Sequence, residues 1–437
     1  MRPLQPLPLP PGLAVLDRLD DLRAILDGTS AFAPVPADDP RTTQLLHDAF
    51  AIGTPIDDEV SLVIATSGST GTPKGSQHTP ATLAASAAAT ATHLGGEGNW
   101  LLALPPHHIA GLQVLLRALA AGFTPDVLDL SLGFDPDAFA DALERFDGPR
   151  RYTSLVPTQL VKVLEHPRAT TALAKVDALL VGGAATPEPL LRKALDAGIP
   201  IIRTYGMSET AGGCVYDGIP LDGVHLSLLD ENPDGVGRVV ITGPMVAHGY
   251  RLLPEHPAFP ASPPPPAGRA AASPAGRAAP PAGRASPPAG RAAASPPGRA
   301  ASRDHRNPTA QRMATFRTDD LGRIDDNTLR IIGRADEAIS SGGLTIVPQV
   351  VEAIIVTDPA VSECAVVGLP DDRLGEKVAA VIVASETVDT QRIRDLVATR
   401  LDRYAAPREI FVVDELPVRG PGKVDRRALR ERFGQTS

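Results

Sequence analysis

Residues 66–75 carry the residue types that bind phosphate, in the order Thr-Ser-Gly-Ser-Thr-Gly-Thr-Pro-Lys-Gly. The glycines allow the backbone to turn several N–H groups toward one point, the hydroxyl groups add donors, and Lys74 adds a positive charge. An ordinary turn rarely combines two hydroxyl clusters with Pro-Lys-Gly, so we expect a polyphosphate site. The segment is not a Walker A loop, because Pro73 stands where that motif needs glycine and Gly75 stands where it needs a hydroxyl.

Polar residues further along the chain could complete a nucleotide site, although each has an ordinary structural explanation on its own. Asp319 could be a turn carboxylate, and Lys423 beside two glycines could be a solvated loop charge. His107 and His108 could pack in the interior or bind a metal. Adjacent residues of a strand point to opposite faces, however, and no third ligand has a suitable spacing. We therefore expect no metal site at this histidine pair.

Taken in chain order, these segments resemble the signature motifs of the adenylate-forming superfamily, which includes acyl-CoA ligases, luciferases and peptide-synthetase adenylation domains. The matched motifs extend from residue 66 to residue 426. They are the phosphate loop, residues 104–111 with the two histidines, Gly182-Gly183-Ala184, residues 205–210, Thr318-Asp319, residues 333–336 and residues 422–426.

The resemblance implies a role for each motif in joining a carboxylate to the α-phosphate of ATP. Glu209 would bind Mg²⁺, Ser208 would contact the α-phosphate, and Lys423 would bridge that phosphate and the acyl carboxylate. Asp319 would accept the ribose hydroxyls, and Arg334 would contact the ribose or a phosphate. The β- and γ-phosphates would be held by Thr66, Ser67, Gly68, Ser69, Thr70, Gly71 and Lys74. The remaining ATP contacts would come from Gly182, Gly183, Tyr205 and Gly206, and the acyl pocket would be lined by His108 as its gate, Gly183, Gly206 and Met207.

The second half of such a reaction needs a thiol to reach the adenylate where Lys423 stood, and the family meets this need by rotating its C-terminal domain. By resemblance, Asp336 is the hinge, and Gly342 and Gly343 form the loop that lets the pantetheine arm of coenzyme A approach. In this chain Leu344-Thr345 follows the glycines where the family commonly has Glu-Asn. The implied cofactors are ATP, Mg²⁺ and coenzyme A.

Within the superfamily, residues 154–160 and 207–224 are most similar to the o-succinylbenzoate:CoA ligases of menaquinone (vitamin K2) synthesis. The alternatives are another acyl-CoA ligase, a stand-alone amino-acid adenylation domain and, least favoured, a nucleotide-binding protein without catalysis. A peptide-synthetase module usually carries an adjoining carrier domain, whereas this sequence stops soon after Lys423. Coenzyme A is therefore the expected acyl acceptor.

The elements that must position these residues follow from the hydrophobic pattern, which predicts an α/β fold. Short apolar runs alternate with helical patterns up to about residue 205, as in a largely parallel sheet. We predict a large domain over residues 1–335 that also contains a small antiparallel unit, and a smaller mobile α+β domain over residues 336–437 that carries Lys423. The predicted strands are 61–65, 100–104, 153–156, 176–181, 199–205, 239–242, 315–318, 328–332, 364–368, 378–384 and 410–414, and the predicted helices are 79–93, 111–121, 136–146, 157–166, 187–197, 350–356 and 390–403.

Composition disfavours several other classes of protein. The 437 residues include 42 Lys and Arg against 51 Asp and Glu, a net charge of −9, whereas nucleic-acid binders usually carry a basic excess. Cys214 and Cys364 fit no short-spaced metal or redox motif, five prolines interrupt residues 1–11, and no apolar run is long enough to span a membrane. We expect a cytoplasmic protein that binds a small-molecule carboxylate and no nucleic acid. The sequence does not decide its oligomeric state, and a homodimer is one alternative.

A segment of biased composition interrupts the pattern. Residues 262–303 cycle through Pro, Ala, Gly and Arg with no acidic residue and almost no large apolar one. Such a composition cannot bury a core, so we expect a disordered insertion over residues 254–305. A basic tether that binds a polyanion is the less favoured alternative.

Overall fold

The computed structural model describes residues 1–66, 73–261, 313–342, 344–384, 386–419 and 423–434. Up to residue 334 the described chain forms strands and helices in alternation, followed by a run of strands. The strands are β1 (Arg2–Pro3), β2 (Gln5–Leu9), β3 (Phe32–Pro36), β4 (Pro55–Ile56), β5 (Leu62–Ala65), β6 (Gly75–His78), β7 (Asn99–Leu102), β8 (Asp126–Val127), β9 (Arg151–Leu155), β10 (Ala178–Val181), β11 (Ile201–Met207), β12 (Gly212–Tyr216), β13 (Ile219–Pro220), β14 (His225–Leu229), β15 (Gly237–Gly243), β16 (Ala314–Asp325) and β17 (Thr328–Arg334). The helices are α1 (Leu19–Asp27), α2 (Pro40–Phe50), α3 (Pro80–His93), α4 (Ile109–Ala120), α5 (Pro136–Arg145), α6 (Pro157–Leu164), α7 (Pro167–Leu173) and α8 (Glu188–Asp196).

A seven-stranded sheet lies at the centre of this part, in the order β13-β12-β11-β10-β9-β7-β8. The strands from β11 to β8 pair in parallel, and β12 and β13 add antiparallel edges. Successive residues of one strand enter different cores: Leu179 and Val181 pack on one face, and Ala178 and Leu180 on the other. Helices cover both faces, as a parallel sheet requires. The predicted parallel sheet is confirmed.

A second sheet holds the ends of the phosphate loop. It has the order β2-β3-β5-β6, in which β5 and β6 are antiparallel and joined by residues 66–74. Helix α3 begins directly after β6, with Pro80 in its first turn. Thr79 caps this helix by accepting a hydrogen bond from the backbone N–H of Thr82, and the Thr82 hydroxyl accepts one from the Thr79 N–H. Strong capping therefore fixes the polypeptide just beyond Lys74.

The antiparallel unit is a four-stranded sheet in the order β14-β15-β16-β17, as predicted. Residues 262–305 of the expected insertion lie outside the described residues, whereas residues 254–261 are described and do not fit the expected disorder. The Phe259 ring lies 5.0 Å from the rings of both Tyr250 and Phe316, and the backbone N–H of Arg317 donates to the Ala258 carbonyl at 2.8 Å. The contacts of Phe259 thus pack residues 254–261 against the core.

The remaining described residues form a smaller α+β unit around a mixed sheet, in the order β19-β18-β21-β20 with β22 parallel to β21. Its two apolar clusters contain only residues of this unit, which supports the predicted boundary near residue 336. Its elements are β18 (Ile339–Ser341), β19 (Leu344–Ile346), α9 (Pro348–Ile355), β20 (Val361–Asp371), β21 (Gly375–Ala384), α10 (Thr390–Arg400), β22 (Glu409–Val413), β23 (Val418–Arg419), β24 (Lys423–Val424) and α11 (Arg426–Phe433). No helix of the described chain is long and apolar enough to cross a membrane.

Candidate active site

The phosphate loop is closed at its base. The backbone N–H of Thr66 donates to the Lys74 carbonyl at 2.9 Å, which continues the β5–β6 ladder to the mouth of the loop. Lys74 extends its Nζ to 5.0 Å from the centre of the Tyr250 ring. The predicted phosphate ligands Ser67, Gly68, Ser69, Thr70 and Gly71 lie outside the described residues.

Glu209 occupies the short turn between β11 and β12, where its carboxylate is buried. Its Oε1 accepts a hydrogen bond of 2.6 Å from the hydroxyl of Tyr250. Burial raises the pKa of Glu209, and the positive charges of Lys74 and Lys423 act in the opposite direction. A carboxylate held among cations beside a phosphate loop fits Mg²⁺, which commonly uses one or two carboxylates together with substrate phosphates. No group of three or more His, Cys, Asp or Glu in the described ranges could hold a metal without such phosphates.

Ser208 connects the Glu209 turn to the phosphate loop. Its hydroxyl donates to the carbonyl of Ala65 at 2.8 Å, and its own carbonyl accepts a 2.6 Å hydrogen bond from Nε2 of His78. His78 is fully buried, and burial lowers its pKa to about 4. The sequence analysis did not identify His78, because a lone histidine in a strand gives no signal of its partner 130 residues away.

Of the adjacent carboxylates Asp319 and Asp320, the buried one is Asp320, whereas the resemblance pointed to Asp319. Asp320 accepts 2.6 Å and 3.4 Å hydrogen bonds from the Tyr205 hydroxyl and Arg334 Nη1, and only 12% of its side chain is exposed. Asp319 is 53% exposed and lies 3.9 Å from the guanidinium groups of Arg238 and Arg334. The two residues are neighbours in β16, so their side chains leave opposite faces of the strand. Along β16 the buried positions include Phe316, Thr318 and Asp320, two residues apart. This two-residue period of a strand was the signal that could have identified Asp320 as the buried carboxylate.

The two histidines do not lie on a strand, contrary to the prediction. They belong to the turn before α4, where His108 takes the extended N-cap position and the two rings stand 4.3 Å apart. Burial lowers the pKa of His108 to about 3, with His107 and Lys423 acting in the same direction. His108 therefore presents a neutral imidazole at the start of α4.

Glycines let the backbones pack closely at the carboxyl ends of β10 and β11. A Cβ on Gly182 would lie 2.3 Å from the Thr204 Oγ1, and one on Gly206 would lie 2.1 Å from the Gly212 carbonyl oxygen. Gly183 follows in the left-handed region with φ of +82°. Met207 ends β11 next to this crowded backbone. The nucleotide and acyl residues predicted here thus share one edge of the central sheet.

The positive charge of Lys423, in the C-terminal unit, acts on three residues of the candidate site. It favours a lower pKa of His108, Glu209 and Asp320, whereas burial raises the pKa of Glu209 and Asp320 overall. The charge of Lys423 thus acts on residues with which the family motifs associate it, although the lysine lies 214 residues after Glu209 in the sequence (423 − 209).

Asp336 of the predicted hinge lies in a short 3-10 turn, and Gly342 of the predicted thioester loop lies at the end of β18. Arg334 makes two 2.8 Å hydrogen bonds to Asp336, from Nε and from Nη2. Gly342 turns β18 into β19 with φ of +59°, and its N–H donates to the Leu374 carbonyl at 2.9 Å. Gly343 lies outside the described residues.

Arg117 is a further charged residue, missed by the sequence analysis, that is buried in α4. It is 7% exposed, and its Nε and Nη2 have no hydrogen-bond partner within the described part of the chain. The guanidinium lies 5.5 Å from the Trp100 ring centre, and Nη2 lies near Gly212. A charged residue in the run Leu-Gln-Val-Leu-Leu-Arg-Ala-Leu was the signal that could have revealed it.

Comparisons with known proteins agree with this geometry. Residues 15–251 match the family described as AMP-binding enzyme, and residues 350–423 match the AMP-binding enzyme C-terminal domain. A probable 2-succinylbenzoate–CoA ligase from Mycobacterium tuberculosis is 45% identical over 436 residues, 98% of each chain. A feruloyl-CoA synthase from Amycolatopsis sp. is 31% identical over 403 residues, 86% of this chain and 70% of that protein.

A solved structure shows the same fold. The o-succinylbenzoate CoA synthetase (MenE) from Bacillus subtilis, in complex with the acyl-adenylate intermediate OSB-AMP, has a TM-score of 0.63 at 24% identity, covering 95% of this chain and 80% of that one. The predicted fold class and the predicted family are both confirmed. This chain belongs to the AMP-binding enzymes, the adenylate-forming superfamily that its motifs predict.

Proposed function

We propose that this protein is an ATP-dependent acid–thiol ligase of menaquinone biosynthesis, acting in the cytoplasm. It activates o-succinylbenzoate (2-succinylbenzoate) as an acyl adenylate and transfers the acyl group to coenzyme A. The observation that carries the proposal is the position of Lys423, which acts on His108, Glu209 and Asp320 together. The relative with 45% identity over 98% of both chains supports the choice of substrate.

In the first half-reaction, a carboxylate oxygen attacks the α-phosphorus of ATP and pyrophosphate leaves. The two reactants are anions, so the site must neutralise charge as they meet. Lys423 bridges the acyl carboxylate and the α-phosphate, Lys74 holds the departing phosphates, and Asp320 accepts the ribose hydroxyls. When bound at Glu209, Mg²⁺ supplies further neutralisation of phosphate charge.

In the second half-reaction, the thiol of coenzyme A attacks the adenylate carbonyl and AMP leaves. The thiol needs the space that Lys423 occupies, so the C-terminal domain rotates about Asp336 between the two steps. Gly342 and Gly343 then face the site and admit the pantetheine arm. The paired hydrogen bonds of Arg334 with Asp336 would hold the hinge before rotation.

Arg117 supports a substrate with a second carboxylate. It follows His108 by nine residues on one helix, roughly 13 Å along the axis, and helical side chains lean back toward the N-terminus. Buried guanidinium nitrogens that lack a hydrogen-bond partner among the described residues are costly, and a ligand carboxylate would remove that cost through a charge-assisted pair. In 2-succinylbenzoate the succinyl carboxylate is activated, and the ring carboxylate is left to pair with Arg117.

A carboxylate panel in a coenzyme A-dependent pyrophosphate-release assay tests the proposed function. We expect the highest kcat/KM with 2-succinylbenzoate. Ferulate as the best substrate would favour another acyl-CoA ligase, in keeping with the 31% identical feruloyl-CoA synthase. Activation of an amino acid without transfer to coenzyme A would favour an adenylation domain, and no release with any carboxylate would favour a non-catalytic nucleotide-binding protein.

The variant Arg117→Met tests the substrate assignment. We expect it to lower kcat/KM for 2-succinylbenzoate by about 10- to 100-fold, the usual cost of losing a hydrogen bond between charged groups. Activity with 4-oxo-4-phenylbutanoate, which lacks the ring carboxylate, should change little. Arg192→Met is a control, because Arg192 is exposed and pairs only with the neighbouring Glu188 on α8. An equal loss with both substrates would contradict a contact between Arg117 and the ring carboxylate.

A further inference from the structure

His256 is held rigidly beside Lys74 by the residues that precede the proline-rich segment. Its N–H donates to the Leu253 carbonyl at 3.2 Å, and its carbonyl accepts from the N–H of Phe259 at 2.9 Å. The imidazole packs edge-on against Tyr250, with ring centres 4.8 Å apart. Tyr250 is the residue whose hydroxyl binds Glu209 and whose ring lies under Lys74. The imidazole therefore belongs to the same cluster as the phosphate-loop lysine and the buried carboxylate.

The hydrogen bond from Ala258 favours the tautomer of His256 in which Nε2 carries the proton. Its Nδ1 accepts a hydrogen bond from the backbone N–H of Ala258 at 3.2 Å. A neutral imidazole has one donor and one acceptor nitrogen, so the proton is on Nε2. Burial and the neighbouring charge of Lys74 lower the pKa of His256, which favours this neutral form.

The Nε2–H group faces a second donor. Nε2 lies 3.3 Å from Nζ of Lys74, and a lysine ammonium has three N–H donors and no acceptor. In this tautomer two donor nitrogens lie side by side, and an anionic oxygen next to them could accept a hydrogen bond from each. Because Lys74 ends the phosphate loop, the acceptor that fits this point is an oxygen of a polyphosphate.

We propose that His256 is a phosphate-binding residue that donates from Nε2 to the β- or γ-phosphate of ATP next to Lys74. It keeps this contact on pyrophosphate as the α–β phosphate bond breaks. The inference rests on the proposed adenylate-forming reaction and adds to it a donor from outside the phosphate loop.

The test compares three variants in two assays. His256→Gln keeps an N–H donor near the position of Nε2, His256→Asn has no donor that reaches it, and His256→Phe keeps a ring without a donor. One assay measures inhibition by pyrophosphate and, separately, the affinity for AMP. The other supplies synthetic 2-succinylbenzoyl adenylate and measures thioester formation with coenzyme A. The exposed His225→Phe serves as the control.

We expect His256→Phe and His256→Asn to weaken pyrophosphate inhibition and raise the KM for ATP by about tenfold or more, the order of effect of a lost phosphate donor. AMP affinity and thioester formation should be unchanged, and His256→Gln should behave nearly as the wild type. The inference is overturned if pyrophosphate inhibition is unchanged in all three variants, or if AMP and pyrophosphate binding weaken equally. A wild-type protein that forms no adenylate would instead overturn the proposed function.

Discussion

At the scale of single residues, the site depends on polar groups whose neighbours decide their role. Asp320 and Asp319 are adjacent and chemically identical, yet only Asp320 is buried against Tyr205 and Arg334. Tyr205 is partly buried, and its hydroxyl orients the Asp320 carboxylate through a 2.6 Å hydrogen bond. A resemblance between motifs does not decide which of two adjacent carboxylates has the role. That choice matters, because adjacent side chains of a strand point to opposite faces of the sheet.

The pair offers a matched comparison for ribose binding. We expect Asp320→Asn to raise the KM for ATP by about 10- to 100-fold, because an amide loses the charge-assisted hydrogen bonds to the ribose hydroxyls. Asp319→Asn should change the KM for ATP little, since its side chain is largely exposed. Steady-state kinetics of both variants, with thermal melting to verify folding, provides the check. An effect confined to Asp319→Asn would restore the original prediction.

At the scale of elements, the site is assembled where separate strands meet. His78 at the end of β6 holds the carbonyl of Ser208 after β11, and Ser208 in turn holds Ala65 at the end of β5. Three strand ends from two different sheets are thus joined by two side-chain hydrogen bonds. This junction positions Glu209, the next residue along the chain.

His78 also makes stability depend on pH. Its pKa falls from 6.5 in an unfolded chain to about 4 in the fold, so the contribution of its neutral form is present above pH 6.5 and is lost as the pH falls toward 4. This loss lowers the free energy of unfolding by about 3 kcal/mol. We expect His78→Gln to melt with a shallower pH dependence between pH 6.5 and pH 4 than the wild type, and the exposed His225→Gln to match the wild type. If His78→Gln melted with the same pH dependence as the wild type, His78 would not be the source of that dependence.

The pattern of the sequence predicted the elements where local signals agree with the fold. Strands β9 and β10 are short apolar runs followed by proline-started or amphipathic helices, and they were predicted to within about two residues. Strand β2 was not predicted, because Pro6 and Pro8 suggest an interrupted chain. In the fold they occupy alternate positions of an edge strand, while Leu7 and Leu9 between them are buried.

The site residues that were missed have partners distant in the sequence. His78 bonds to Ser208, and His256 lies beside Lys74, 182 residues earlier. Arg117 was missed for a different reason: its helix is otherwise apolar, and one buried charge shows only as a break in the pattern. Contacts of these kinds depend on the tertiary structure, which periodicity and motif spacing describe only indirectly.

At the scale of the whole molecule, two units with separate cores contribute to the proposed reaction. We propose that the N-terminal part supplies the phosphate loop, Glu209 and Asp320, and that the C-terminal unit supplies Lys423 from a short hairpin strand. Because the lysine is carried by its own unit, the first half-reaction can require it while the second proceeds without it. The two chemical steps therefore place different demands on Lys423.

The variant Lys423→Ala tests that claim most directly. ATP–pyrophosphate exchange with 2-succinylbenzoate measures the first step, and conversion of synthetic 2-succinylbenzoyl adenylate by coenzyme A measures the second. Lys377→Ala is the control, since this lysine belongs to the same unit and pairs with Glu409. We predict that Lys423→Ala slows exchange by about 100- to 1000-fold and leaves thioester formation close to the wild-type rate. An equal loss in both steps would contradict a lysine that serves adenylation alone.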